Sequence, residues 1–114
     1  MRKKDRAVWA HALCFLEGGY TTGAQARNAK GTPVNMFAKT AVHFCAGAAI
    51  MRAMVYLIHS ESEQDRFLKK YRAEIEMLVR CWERGRKDLV MMVFKMRARE
   101  FTRHGAPRNL EARE

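Results

Sequence analysis

The chain has no closely spaced cysteine pair. Its three cysteines, Cys14, Cys45 and Cys81, stand 31 and 36 residues apart. That pattern excludes a disulfide framework and a zinc site built on paired cysteines, and reduced, buried thiols of a cytoplasmic protein are the expectation. Acidic residues are scarce as well, 12 against 22 Lys and Arg, which leaves +10 at neutral pH on 114 residues. So large an excess favours acidic partners: nucleic acid, a nucleoprotein, an anionic membrane face or an acidic protein surface. The four histidines, His11, His43, His59 and His104, form no His-x-x-x-His pair, and no metal site or cofactor is expected. Internal repeats and low-complexity segments are missing. The apolar fraction of 48% is that of a globular protein of one domain rather than a disordered chain.

Membrane and export signals are equally thin. "MRKKDRAVWAHALCFL" has the basic start and apolar run of a leader, but Asp5 and His11 interrupt it and "EGGY" stands where a small-x-small cleavage site belongs. An amphipathic helix is the better reading. "AVHFCAGAAIMRAMVYLI", residues 41–58, carries His43 and Arg52 and falls short of the roughly 20 apolar residues of a membrane span. A buried helix is expected there, and no membrane partner.

What is present is helical periodicity. The spacing of Val8, Trp9, Ala12, Leu13, Phe15 and Leu16 predicts helix one over 5–16, stopped by Gly18 and Gly19. Helix two is predicted over 37–59, with the small-residue run "CAGAA" allowing another backbone close. Ser60 with Glu63 forms a capping box for helix three. Leu68, Tyr71, Ile75, Leu78 and Trp82, flanked by Phe67 and Val79, make its buried seam. Gly85 turns the chain into helix four, 87–103, whose apolar side holds Leu89, Val90, Val93, Phe94, Met96 and Phe101. His104 suits the C-terminal end of that helix, Gly105 and Pro107 end it, and 106–114 reads as a flexible tail.

Residues 18–35, "GGYTTGAQARNAKGTPVN", are the long exception to helical patterning. Asn28 and Gly31 suit a tight turn, and Pro33 suits an edge strand, so a short β-hairpin over about 20–35 is expected between helices one and two. A Walker loop and a dinucleotide fingerprint are both absent from it. The fold class is therefore mainly α, four helices in a bundle-like domain with a small inserted hairpin.

The same stretch, followed by "AVHFCAGAAIMRA", resembles an uncharacterised family of small bacterial and phage proteins, a domain of unknown function. Members read Gly-Trp/Tyr-Thr-x-Gly-x-x-Ala-Arg-Asp/Asn-Ala-x-Gly-x-Pro-Val. The matching positions are Gly19, Tyr20, Thr21, Gly23, Ala26, Arg27, Asn28, Gly31, Pro33 and Val34, then Ala41, Val42, Cys45, Gly47, Ala48, Arg52 and Ala53. The resemblance covers residues 19–53 and departs after helix two, where a long basic helical hairpin follows. It brings no established activity and no catalytic residue. What it implies is that hairpin and helix two form one unit, with a phage origin in view.

Within that unit, Arg27 and Arg52 are read as braces between hairpin and helix two, or alternatively as an anion site. His43 and Cys45, two apart on one predicted helix, would point about 200° from each other and cannot act as base and nucleophile. Glu74 and Glu76 lie among bases and read as a solvated face. The methionines read as core filling in helix two (Met51, Met54) and as an adaptable surface beside the bases of helix four (Met91, Met92). No enzyme is expected.

Charge is concentrated. Residues 61–84 hold six bases and six acids, 21–60 four bases and no acid, and 85–104 six bases and two acids. Lys87, Lys95, Arg99 and Arg103 share one stripe of helix four, with Arg86 and Arg97 nearby. Three readings follow, and a homodimer is compatible with each. The first is a basic face that binds the phosphates of nucleic acid or a nucleoprotein without reading bases. The second is an inhibitor or adaptor, such as a phage factor against a host defence or regulatory protein, with charge steering the encounter. The third is a small anionic ligand held between hairpin and helix two. An exposed apolar patch favours the second, a cleft beside Arg27 the third, and an unbroken basic ridge the first.

Overall fold

The structure, a computed structural model, describes the backbone of residues 2–103 and the side chains of residues 2–99. The expected tail of 106–114, with Pro107 in it, and His104 and Gly105 before it lie outside the described residues. Four helices carry most of the chain: α1 (Lys3–Gly18), α2 (Ala46–Leu57), α3 (Glu61–Glu83) and α4 (Lys87–Arg103). Between α1 and α2 lie three two-residue strands, β1 (Ala26–Arg27), β2 (Pro33–Val34) and β3 (His43–Phe44), in an antiparallel sheet of order β2-β1-β3. The class is mainly α with a small β element.

The hairpin follows from its turn chemistry. Gly31 sits at φ +85, a left-handed position that a side chain would strain, and its N–H reaches the Asn28 carbonyl at 2.9 Å. The Asn28 side chain accepts from the N–H groups of Lys30 and Thr32, both at 3.0 Å. Pairing then runs Ala26 to Val34 and Arg27 to Pro33, with the proline on the outer strand, where no ladder donor is needed.

Helix two is shorter than its apolar run. Residues 37–45, expected as its first turns, instead form two successive turns, β3 and the N-cap. The Asn35 side chain accepts from the Phe37 N–H at 2.8 Å, and Ala38 and Ala41 each close a turn. His43 and Phe44 then pair with Arg27 and Ala26, while the Phe44 N–H donates to the Gly19 carbonyl at 3.1 Å on the other side. Val42, His43 and Phe44 are good strand formers that find a free sheet edge; the small residues after them are good helix formers, and the boundary falls at Cys45. His43 and Cys45 therefore do not share a helix: one is in a strand and the other is the α2 cap.

Helices α3 and α4 form an antiparallel hairpin. Ser60 accepts from the Glu63 N–H at 3.4 Å and starts α3, while the Glu63 carboxylate turns to Arg66 rather than back to the cap. Gly85 at φ +81 ends it, with the Arg86 N–H reaching the Cys81 carbonyl and the Gly85 N–H the Trp82 carbonyl.

Helix α1 lies against both α2 and α4 and supplies Val8, Trp9, Ala12 and Leu16 to the core. Trp9 meets Phe67, Tyr71 and Phe94 with ring centroids 5.2–6.4 Å apart, the latter two edge-on. Ile50, Ala53 and Met54 of α2 and Leu78 and Trp82 of α3 complete it. On α2, Gly47 fits where an added Cβ would stand 3.1 Å from the Val79 side chain, so α2 and α3 meet through that gap in the small-residue run.

Candidate partner-binding face

The arginines singled out in the sequence are structural donors. Arg27 gives its Nε to Thr21 Oγ1 at 2.8 Å, its Nη1 to the Gly31 carbonyl at 2.9 Å and its Nη2 to the Thr22 carbonyl at 3.3 Å. Arg52 spans from α2 to the turns before β3, its Nη1 donating to the carbonyls of Met36 (2.8 Å) and Ala38 (2.9 Å). Its guanidinium carbon lies 5.2 Å from the Phe44 ring centre and 5.6 Å from that of Phe15. Both guanidinium groups thus tie backbone carbonyls of the loops around them.

A cavity of about 450 Å³ opens elsewhere, between the 22–25 loop, the first turn of α2 and the last turns of α3. Cys45, Gly47, Val79, Trp82 and Glu83 line it; Arg27 and Arg52 do not. The Cys45 Sγ accepts from the Ala48 N–H at 3.4 Å and so caps α2; Cys14, expected to be buried, is exposed on the solvent side of α1. Among the described residues no three His, Cys, Asp or Glu side chains stand where they could share a metal ion.

The bases of α4 are divided. Arg97 turns inward, its Nε donating to Glu74 Oε2 at 2.9 Å in a half-buried pair that pins α4 to α3. Arg86 pairs with Asp88, and its hydrogen bond to that carboxylate, helped by the Leu89 N–H, holds Asp88 below the usual carboxylate range. Lys87 is half-buried, with its Nζ 5.2 Å from the Tyr20 ring centre; Tyr20 meets Trp82 edge-on, and the Trp82 Nε1 donates to the Thr21 carbonyl. Lys95 and Arg99 are exposed, while the Arg103 side chain lies outside the described ones.

Beside these bases stand exposed methionines, of which the sequence pointed to Met92 but not to Met96. Met92 and Met96, one turn apart on the same face as Lys95 and Arg99, are 50% and 58% exposed, and Met77 on α3 is 47% exposed. Met96 was expected on the buried side of α4. The signal was present in the spacing: Val90, Phe94 and Arg97 occupy the inward arc, so Met92 and Met96 must face out. Lys95 and Arg99 therefore run along one side of an apolar strip of α4.

Neither protein-family models, nor curated proteins, nor solved structures contain a match to this chain. No described helix is long and apolar enough to cross a membrane.

Proposed function

We propose that this chain is a non-enzymatic interaction protein that docks an acidic protein partner through the outward face of α4. The observation that carries this reading is the half-exposure of Met92 and Met96 in a strip beside Lys95 and Arg99. Methionine gives adaptable apolar contact, and bases around it steer an acidic surface inward. Phosphodiester backbones reward a run of unobstructed bases. Here the run is interrupted by Asp88, by the inward Arg97 and by two thioethers, which favours protein over nucleic acid. The net charge of +10 gives long-range attraction to any acidic surface.

Fluorescence anisotropy tests this with the full chain and two labelled probes, a glutamate- and leucine-rich peptide and a mixed-sequence duplex, at about 50 and about 200 mM salt. The expected result is preference for the peptide at the higher salt, with binding weakened at least tenfold in Lys95→Glu/Arg99→Glu. Preference for the duplex at both salts would return the face to nucleic acid and overturn the reading.

A further inference from the structure

The residues along the outer seam of the α3–α4 hairpin narrow the partner further. Exposed residues on α3 include Ala73, Met77, Arg80 and Arg84, at intervals of four, three and four, so they form one stripe. On α4 the exposed residues among the described side chains are Asp88, Met92, Lys95, Met96 and Arg99, again one stripe. The Glu74–Arg97 bridge fixes how the two helices lie in register. Met77 follows Glu74 by three residues and Met96 immediately precedes Arg97. With about 100° of rotation per residue and the helices antiparallel, both methionines turn to the same side of the seam, away from α1. The opposite side is closed by α1, through Trp9 against Phe67 and Phe94.

Resting on the protein-partner reading above, we infer that this seam receives an amphipathic, acidic helix from the partner, laid between α3 and α4. The apolar floor is Met77, Met92 and Met96. Its rim is mainly basic on both banks, with Arg80 and Arg84 on α3, where the exposed Glu76 stands one turn before Arg80, and Lys95 and Arg99 on α4, while Asp88 has its charge drawn to Arg86. Two antiparallel helices offer a groove into which the ridge of a third fits, and apolar contacts one turn apart match side chains at i, i+3 and i+4 of an incoming helix. An extended strand would align alternate side chains with a floor whose spacing is helical. A second copy of this chain is disfavoured, because it would bring the same basic banks together.

Two labelled peptides of identical glutamate and leucine composition test the inference against the full-length chain. In one the leucines recur at i, i+3, i+4 and i+7; in the other they alternate with glutamate. The helical arrangement is expected to bind at least tenfold more tightly and to gain helical circular dichroism on binding. Met77→Ser/Met92→Ser/Met96→Ser is expected to weaken it at least tenfold with an unchanged thermal midpoint, these side chains being half in solvent. Equal binding of the two peptides, or an unchanged affinity in the triple variant, would sink the helix-in-seam inference and leave an acidic protein partner standing. Binding of neither peptide, with the duplex bound instead, would remove both.

Discussion

At the scale of single residues, Gly19 shows how closely the chain turns from helix into sheet. Its φ is +154, and a Cβ placed there would stand 2.3 Å from His43 Cδ2 and 3.2 Å from the Val42 carbonyl. Two separate costs follow for Gly19→Ala, a backbone strained toward a region L-residues avoid and a collision with β3. Together they are expected to destabilise the fold by about 3 kcal/mol. Only the collision with the ring can be relieved from the other side. His43→Ala in the Gly19→Ala background should therefore recover part of the loss, and never all of it. Urea unfolding of the two single variants and the double variant reads the coupling, and strictly additive losses would show that the His43 ring simply moves away. The four described glycines with left-handed or positive φ, Gly19, Gly23, Gly31 and Gly85, all stand at a helix end or in a loop, where the sequence pattern placed breaks. Which of them also meets a neighbouring side chain was not legible, because that depends on β3.

At the scale of elements, legibility followed the number of independent local cues. Helix α3 had a cap at Ser60, a seam with Phe67, Tyr71, Leu78 and Trp82 buried, and a glycine stop, and each cue named the same boundaries. The β1–β2 turn had Asn28 and Gly31. For α2 the apolar run was the single cue, and an apolar run does not distinguish a buried strand from a buried helix. Sheet pairing of His43 and Phe44 with residues 16 and 18 positions earlier decided it. The boundary now rests on a weak cap, a thiol accepting from the Ala48 N–H at 3.4 Å. An oxygen acceptor bonds an amide more strongly than sulfur does. Cys45→Ser is therefore expected to raise stability by about 0.5 kcal/mol, and Cys45→Ala to lower it by a similar amount. Thermal midpoints of the two variants check this directly. A Cys45→Ser midpoint below that of Cys45→Ala would mean that packing around the sulfur in the cavity wall, rather than capping, governs this position.

At the scale of the whole molecule, charge distribution was readable from composition, but the charge that holds the helices together was not. Asp5 read only as an interruption in an apolar helix. It is fully buried, accepts a hydrogen bond from the Tyr71 hydroxyl at 3.1 Å across 66 residues of sequence, and has Lys70 Nζ 3.7 Å away. Arg97 lies 5.8 Å from the Tyr71 ring centre while it bridges to Glu74, so α1, α3 and α4 converge on one phenol. Burial, then the neighbouring Asp5 charge and the hydrogen bond to it, push the Tyr71 hydroxyl well above its ordinary value. The sign of the consequence follows from linkage. Below about pH 10 the phenol is protonated both folded and unfolded, so the stabilisation is complete. Above it the unfolded chain releases the proton first, and stability falls as pH climbs toward the higher folded value. Tyr71→Phe removes the hydrogen bond to a buried carboxylate and should cost about 2 kcal/mol at neutral pH. It also removes the proton whose release favours unfolding, so the gap between the native chain and Tyr71→Phe should narrow steadily above about pH 10. Urea unfolding of both proteins from neutral pH into that alkaline range measures the gap. A gap that stays constant would mean that the phenol releases its proton alike in the folded and the unfolded chain, and that the convergence of three helices on Asp5 is not held by its charge.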